Sequence, residues 1–387
     1  MIRIKAFPHR ASIKKMKGTA INMQIVLIGE ADSRRTEFFM KAAAELAISV
    51  KFIPYPSIDK LSDFNFAVLE NSVVKIDPPL PHSSNINDIS TVSLHYSHFL
   101  NKVQSINNTK FLNSPDQILR VMDKQALKHT VENAGIRTAQ SFPGINSISD
   151  LRENKQLNSV FIKPRFGSGA AGVVAYRRNL KTGDEIIYTT VRYSNMQFYN
   201  NSKLRTVRDK YELETIVNYI LQIGALVETW IPKASHAGKT YDLRIVWQFD
   251  KIEYAVARLS SGTITNLHLG GRSVDMAELG LSRETLHEIE VLCGNTMAQF
   301  PGLNSAGLDI LLEKGSLKPY IIEVNGQGDL LHKDIRGENR LYKSQICRML
   351  KTVTDDEPNL RTHLRRFGDR GGYCFRTSAT YLNGGIK

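Results

Sequence analysis

The sequence predicts a mixed α/β and α+β fold, in which an open parallel sheet is followed by segments rich in antiparallel hairpins. Three patterns predict it. Strand and helix signals alternate from residue 24, a glycine-rich turn at residues 167–172 joins two strand-like runs, and residues 306–325 resemble an apolar hairpin. The chain has 387 residues, of which 42% are hydrophobic and 23% charged. This length and composition suit a globular protein of two or three domains.

The N-terminal elements follow the order strand, helix, strand. The apolar run QIVLIG at residues 24–29 predicts a strand, Ser33 can cap a helix with helical apolar spacing, and VKFIPY predicts a second strand. NFAVLEN, near Phe66, is predicted as a third strand, and the Pro-, Asn- and Ser-rich residues 77–88 as a loop. This order is the beginning of a βαβ unit.

Two arginines, Arg34 and Arg35, begin the first predicted helix. In an open α/β sheet the turn from strand to helix is a usual place for a ligand. A solvated helix face is the alternative, and the charge pattern alone favours it.

The charge is unevenly distributed along the chain. The net charge is +13, and residues 1–22 contain six Lys or Arg and no Asp or Glu. We expect these residues to be a disordered leader upstream of a natural start at Met23, with a transit peptide or a nucleic-acid arm as the alternatives. Nucleic-acid binding is not favoured, because no aromatic stacking motif accompanies the positive charge.

The number of cysteines and the hydropathy of the sequence indicate the cellular compartment of the protein. Cys293, Cys347 and Cys374 are odd in number and lack metal-ligand spacing, which favours a reducing compartment over a disulfide framework. No apolar run approaches about 18 residues, so no segment is predicted to cross a membrane. A cytoplasmic protein is the resulting expectation.

The middle of the chain has lysines close to a glycine-rich turn. Asp123 can cap a helix that begins with Lys124, where a cation opposes the helix dipole unless an anion compensates for it. Further on, a predicted strand carries Lys163 and leads into the turn at residues 167–172. Small residues let backbone N–H groups approach phosphate oxygens, and a flanking lysine supplies charge. The pattern suits a phosphate clamp, with an ordinary turn and a solvated lysine as the alternatives.

Three later strand-like runs carry charged residues. LVETWI contains Glu228, DLRIVWQF contains Asp242 and Arg244, and YAVARL contains Arg258. Arginines two strands apart can face one cleft together, and their fork geometry matches phosphate and carboxylate oxygens. Residues 179–208, which precede these runs, are predicted to be less regular.

The hairpin at residues 306–325 carries three oxygen-bearing side chains. Glu323 and Asn325 point to the same side of one predicted strand, and Asp309 can lie beside them if the hairpin pairs in register. Two carboxylates and an amide oxygen suit Mg²⁺, which fills its remaining positions with water and phosphates. A polar outer face of an amphipathic hairpin is the alternative.

The order of these motifs resembles the ATP-grasp superfamily. DK at residues 123–124, FIKP, GSGAAGV, VETWI, YDLRIV, the arginine strand, TNLHLGG, GLDIL and IIEVN occur in family order, and the last three look most like RimK-like carboxylate-amine ligases. The resemblance covers about residues 113–350 and implies an ATP-grasp fold behind a Rossmann-like, pre-ATP-grasp α/β domain. The implied divisions are a basic leader (1–22), the pre-ATP-grasp domain (23–112), an N-terminal subdomain with the glycine-rich flap (113–232), a C-terminal subdomain with the metal site (233–350) and a C-terminal extension (351–387).

The resemblance also implies roles for individual residues. Those that would bind ATP are Lys124, Lys163, the flap residues Gly167, Ser168, Gly169, Ala170, Ala171 and Gly172, the hinge residues Glu228, Thr229, Trp230 and Ile231, and Asp242 on the ribose side. Those that would hold the γ-phosphate and the acyl phosphate, or adjoin them, are Arg244, Arg258 and Asn266. Those that would bind magnesium, with two ions expected and manganese as an alternative ion, are Asp309, Glu323 and Asn325.

The resemblance implies an ATP-dependent carboxylate-amine ligase that forms an amide or peptide bond through an acyl phosphate and releases ADP and phosphate. Its substrates would be a carboxylate and an amine of an amino acid or a peptide, and oligomerisation stays open. Two alternatives are an ATP-grasp modifier of a ribosomal peptide or protein, by side-chain amide or ester formation or glutamylation, and a small-molecule kinase of this fold. After IIEVN the chain continues as GQGD instead of the family's Pro-Gly turn, so we expect its substrate specificity there.

Overall fold

The computed structural model describes residues 23–55, 58–80, 83–167, 169–265, 272–327 and 337–355. Its strands lie in three sheets, one parallel and two antiparallel.

The parallel sheet is N-terminal. Its strands are β1 (Gln24–Gly29), β2 (Lys51–Pro54), β3 (Ser72–Ile76) and β4 (Thr109–Phe111), in the order β2–β1–β3–β4. Two helices connect them, α1 (Arg34–Glu45) and α2 (Ile86–Val103). Ser33 caps α1, because its Oγ accepts the Thr36 N–H at 3.1 Å. The predicted βαβ start is confirmed.

The predicted third strand around Phe66 is wrong. Phe66–Leu69 is a 3₁₀-helix, and the strand is the next segment, SVVKI. Asn65 accounts for the difference, since its side chain accepts the Ala67 N–H at 3.2 Å and starts a local turn. The described residues also include the 3₁₀-helices Ile58–Asp63, Lys155–Leu157 and Met276–Leu279.

The second sheet is antiparallel and follows two helices, α3 (Pro115–Met122) and α4 (Lys124–Asn133). Gly135, which has a positive φ of 66°, follows the end of α4. Its strands are β5 (Ser159–Pro164), β6 (Val174–Arg178), β7 (Glu185–Ser194), β8 (Gln197–Val207) and β9 (Ala225–Thr229), in the order β8–β7–β6–β5–β9. Two helices, α5 (Ile148–Glu153) and α6 (Lys210–Gln222), share a core with its inner face.

Residues 179–208 are more regular than predicted. They form the long hairpin β7–β8, whose turn residues Asn195 and Met196 both have positive φ. Tyr, Thr, Val and Ile favour strands, but the many polar residues of this segment obscure the alternation. The register also shifts between Thr189 and Val191, and no periodicity in the sequence announces that irregularity.

The third sheet is antiparallel and carries the charged hairpin. Its strands are β10 (Ser235–His236), β11 (Lys239–Gln248), β12 (Lys251–Ser260), β13 (Arg272–Asp275), β14 (Ser305–Leu312) and β15 (Pro319–Asn325), in the order β13–β12–β11–β14–β15, with β10 on β11. Helix α7 (Arg283–Ala298) connects β13 to β14. The two arginine-bearing strands, β11 and β12, are direct neighbours rather than two strands apart.

The C-terminal helix α8 (Arg340–Asp355) returns to the parallel sheet. Tyr342 and Ile346 pack with Leu27 and Phe39 in one core cluster, and the rings of Phe39 and Tyr342 meet edge to face at 5.7 Å. The last described helix therefore completes the core of the first sheet.

The structure also bears on two features predicted from composition, the membrane spans and the state of the cysteines. None of the helices in the described part of the chain combines the length and apolar character that a membrane span requires. Cys293 is a buried free thiol, but Cys347 is disulfide-bonded. The sequence analysis, which favours a reducing compartment over a disulfide framework, did not predict this disulfide.

Candidate active site

A cavity of about 890 Å³ is lined by residues of the two antiparallel sheets and, from the N-terminal part of the chain, by residues of α1, of α2 and of the segment after β3. Its volume lies within the usual range for small-molecule sites. The sequence-predicted site residues that line it are Lys124, Lys163, Gly167, Gly169, Ala170, Ala171, Glu228, Thr229, Ile231, Asp242, Arg244, Arg258, Asp309, Glu323 and Asn325. The fold thus brings together most of a set that spans two hundred residues of sequence.

Glu228 is the centre of a buried lysine cluster on one wall. It is 2% exposed, Lys128 Nζ lies 2.8 Å from its Oε2, and Lys163 Nζ is paired with its Oε1. Burial raises the pKa of Glu228, but Lys163 and Lys128 outweigh burial and hold the pKa below its usual value. The carboxylate stays ionised and fixes both ammonium groups.

Lys128 was not predicted from the sequence. It follows Lys124 by four residues, so both side chains lie on one side of α4. Burial lowers the pKa of Lys128, and Glu228 acts in the opposite direction. The four-residue spacing shows only that the two lysines share one side of the helix. A lysine with 4% exposure needs a buried partner, and that partner, Glu228, is a hundred residues away in sequence.

Lys124 links the glycine-rich loop to β15. Its Nζ donates to the Gly167 carbonyl oxygen at 2.5 Å and lies 3.8 Å from Glu323 Oε1. Burial lowers its pKa, and Glu323 opposes that effect. The loop itself depends on Gly172, where φ is +73° and an added Cβ would lie 2.5 Å from Pro164 Cγ.

Asp309 lies between two arginines on the opposite wall. Arg244 Nε is 2.9 Å from its Oδ1, and Arg258 Nη2 is 3.0 Å from its Oδ2. Arg258 Nε also donates to Asp242 Oδ1 at 2.7 Å. The sheet register produces this arrangement, because Arg244 is paired with Asp309 across β11–β14 and Asp242 with Arg258 across β11–β12.

These ion pairs shift the pKa values of the side chains on this wall. Burial lowers the pKa of Arg258, but Asp242 and Asp309 outweigh it and raise the pKa above its ordinary value. Burial raises the pKa of Asp242, but Arg258 and Lys233 hold it below its usual range. Lys233, which sequence reasoning missed, lies 3.7 Å from Asp242 Oδ2 and also donates to Thr265. Arg258 and Asp242 are therefore charged at neutral pH. Burial lowers the pKa of Lys233, and Asp242 acts in the opposite direction.

The hairpin offers a ligand set that fits a divalent cation. Asp309 and Glu323 are direct partners across β14–β15, which confirms the predicted register, and Asn325 is two residues further on. Asp309 Oδ1 is buried and, although Arg244 lies close, has no hydrogen-bond partner with proper direction among the described residues. The described residues contain no group of three His, Cys, Asp or Glu that could hold a metal, so phosphates or water would have to complete the coordination.

The remaining predicted residues lie elsewhere. The Trp230 ring packs against Phe161 at 5.1 Å and under Arg177 at 4.5 Å, and its backbone N–H donates to the Ser159 carbonyl oxygen. Ser168, Asn266 and the TNLHLGG turn from residue 267 onward lie outside the described residues.

Comparison with known proteins places this geometry in a fold class. Neither a protein-family model nor a curated protein matches the sequence. The ATP-grasp ligase PsnB, in complex with a minimal precursor, Mg and ADP, has a TM-score of 0.51 at 12% identity, over 86% of this chain and 99% of that chain. D-alanine–D-alanine ligase from Bacillus anthracis, in complex with ATP, has a TM-score of 0.50 at 13% identity, over 90% and 100%. The ADP complex of N5-carboxyaminoimidazole ribonucleotide synthetase has a TM-score of 0.51 at 10% identity, over 84% and 76%.

All three similar structures are ATP-grasp ligases or nucleotide-bound synthetases, and two of them are covered almost completely. This protein therefore has the ATP-grasp fold, which confirms the fold class implied by the order of its sequence motifs.

Proposed function

We propose that the protein is an ATP-dependent carboxylate-amine ligase that forms an amide bond through an acyl phosphate and releases ADP and phosphate. The observation that supports the proposal is that one cavity has a lysine-lined wall and an arginine-lined wall. One wall has Lys124, Lys163 and the glycine-rich loop, and the other has Asp309 between Arg244 and Arg258.

The lysine wall suits nucleotide phosphates. Lys163 is held by Glu228 and Lys124 by the Gly167 carbonyl oxygen, so both ammonium groups are positioned before any ligand arrives. Backbone N–H groups of the loop add further donors. Positioned cations of this kind lower the barrier to phosphoryl transfer because they need no reorganisation during the reaction.

The arginine wall suits the anionic oxygens of the group being transferred. A carboxylate is a poor acyl donor, because its leaving group would be oxide, and phosphorylation provides a better one. Arg244 and Arg258 are fork-shaped donors that can bind phosphate and carboxylate oxygens bidentately. Asp309, Glu323 and Asn325 would hold Mg²⁺, which when bound would neutralise phosphate charge and align the reacting oxygens.

Turnover with defined acceptors tests this function. The protein is incubated with ATP, Mg²⁺ and pooled amino acids or short peptides, and ADP and condensed products are measured. ADP together with an amide product is the expected result. A stable phosphorylated product would instead indicate a kinase, and a complete lack of nucleotide turnover with every acceptor would contradict the proposal.

A further inference from the structure

Lys128 lies behind the lysine wall and is not among the residues that line the large cavity. Its side chain is buried, and its Nζ lies 2.8 Å from Glu228 Oε2 and donates to Thr138 Oγ1 at 2.8 Å. Thr138 Oγ1 in turn donates to the Ile321 carbonyl oxygen of β15, also at 2.8 Å. The ammonium group is therefore fixed between β9 and the segment that leads from α4 to β15. The proposed function gives this buried cation no role.

Glu228 connects Lys128 to a lysine that does line the cavity. Lys163 Nζ is paired with Glu228 Oε1, whereas Lys128 lies beside Oε2. One carboxylate between two ammonium groups leaves one positive charge in excess. Without Lys128, Glu228 would neutralise Lys163, and a neutral pair attracts a phosphate much less than a net cation does. Lys128 therefore lets Lys163 be anchored by a carboxylate while the wall keeps its positive charge.

The other charged groups close to Lys128 have partners of their own. Lys124, one turn earlier in α4, lies 3.8 Å from Glu323 Oε1. Glu132, one turn later, attracts Lys128 at longer range, but its two carboxylate oxygens accept the Ser141 N–H at 2.9 Å and the Ser141 hydroxyl at 2.8 Å. In the described part of the chain, the carboxylate in contact with Lys128 is therefore the one that also holds Lys163.

We propose that Lys128 is a positioning residue that acts through Glu228 to keep the lysine wall net positive, and so strengthens the binding of nucleotide phosphates that it does not itself contact. This inference rests on the proposed function, which places the phosphates against Lys124 and Lys163. A buried ion pair with a purely structural role would change the stability of the fold and would not distinguish ligands with phosphates from ligands without them. The charge of the cluster should instead change the affinity for phosphates alone.

Equilibrium binding of AMP-PNP and of adenosine, each with Mg²⁺, tests this role, because the ratio of the two Kd values reports the contribution of the phosphates. Lys128→Met should weaken AMP-PNP binding by about tenfold or more and leave adenosine binding within about twofold of the wild type. The double variant Lys128→Met/Glu228→Gln loses one charge of each sign, so its Kd ratio should return toward the wild-type value. Lys128→Arg keeps the charge and should keep most of the wild-type ratio.

Lys155→Met is the matched control for the loss of one positive charge, because Lys155 is exposed and lies outside the cavity lining, and it should keep the wild-type ratio. Urea denaturation shows whether each variant is folded. If Lys128→Met does not fold, the double variant is compared with Glu228→Gln. The two proteins then differ only at residue 128, and the double variant, with one positive charge fewer, should bind AMP-PNP about tenfold less tightly relative to adenosine.

Three results would overturn the inference: no binding of AMP-PNP to the wild-type protein, an unchanged Kd ratio in Lys128→Met, or equal losses of AMP-PNP and adenosine binding in that variant. ADP formation measured in parallel separates the two proposals. An unchanged Kd ratio in Lys128→Met together with amide formation by the wild type would overturn the role of Lys128 and leave the ligase function standing. A lowered ratio without ADP formation with any acceptor would support the role of Lys128 and contradict the ligase function.

Discussion

Asp309 neutralises two buried guanidinium groups as well as being a proposed metal ligand. From the sequence alone, Asp309→Ala is expected to abolish turnover and leave the fold intact. The structure changes the second expectation, because the substitution would leave Arg244 and Arg258 facing each other without their shared carboxylate. We predict a loss of about 3–5 kcal/mol in the free energy of unfolding, measured by urea denaturation. A stability equal to that of the wild type would show that the arginines find other partners.

Glu323 allows a cleaner test of metal binding than Asp309. Its described ion pair is a 3.8 Å contact with Lys124, and its side chain is 26% exposed, so its removal should cost little stability. We predict that Glu323→Gln lowers the rate of ADP formation by about 100-fold or more and shifts half-saturation to higher Mg²⁺ concentration. Glu313→Gln, in the turn of the same hairpin, is the control. An unchanged Mg²⁺ dependence in Glu323→Gln would contradict its assignment as a ligand.

Glu228 should make stability depend on acid pH. Its pKa lies below the usual 4.5 because Lys163 and Lys128 outweigh burial, so its contribution is fully present above about pH 4.5 and is lost as pH falls through the folded-state pKa. We predict that Glu228→Gln lowers the free energy of unfolding at pH 7 by about 3–5 kcal/mol, because two buried lysines lose their carboxylate. The difference between wild type and variant should shrink on acidification.

Urea denaturation at a series of pH values measures that difference for Glu228→Gln. Glu290→Gln, on the exposed side of α7, serves as the control and should follow the wild-type profile. A constant difference between wild type and Glu228→Gln from pH 7 to pH 3 would contradict the assigned linkage.

At the scale of elements, the glycine-rich loop requires glycine for two distinct reasons. Gly169 and Gly172 both have positive φ, but an added Cβ meets nothing within 4 Å at Gly169 and Pro164 at 2.5 Å at Gly172. Alanine should be strained at both positions, and at Gly172 it should also displace the end of β5. We predict that Gly172→Ala lowers the free energy of unfolding by about 1–3 kcal/mol more than Gly169→Ala and raises the KM for ATP more strongly. Equal effects of the two variants would contradict the steric argument.

Elements with clear local signals could be predicted, and those fixed by distant contacts could not. The strand at residues 24–29, the Ser33 cap and the Asp309–Glu323 register follow from apolar alternation and capping chemistry within a few residues. The apolar run Phe66–Leu69 predicts a strand, but the Asn65 side chain caps the segment and starts a 3₁₀-helix instead. Lys128 was missed because its partner Glu228 is a hundred residues away, and no local pattern reports such a pairing.

At the scale of the whole molecule, the two antiparallel sheets, the helices α1 and α2 and the segment after β3 all contribute residues to one cavity. A nucleotide bound there would contact several of these units at once, so its binding free energy should stabilise them together. We predict that AMP-PNP with Mg²⁺ at about 100 times its Kd raises the free energy of unfolding by about 2.7 kcal/mol, measured by urea denaturation. Lys163→Met is the matched variant, since Glu228 keeps its 2.8 Å contact with Lys128 and the fold should survive. The variant should show a much smaller increase at the same nucleotide concentration, because one phosphate-binding cation is gone. An equal increase in both proteins would remove Lys163 from the nucleotide site, and no increase in either would show that the folded protein does not bind the nucleotide.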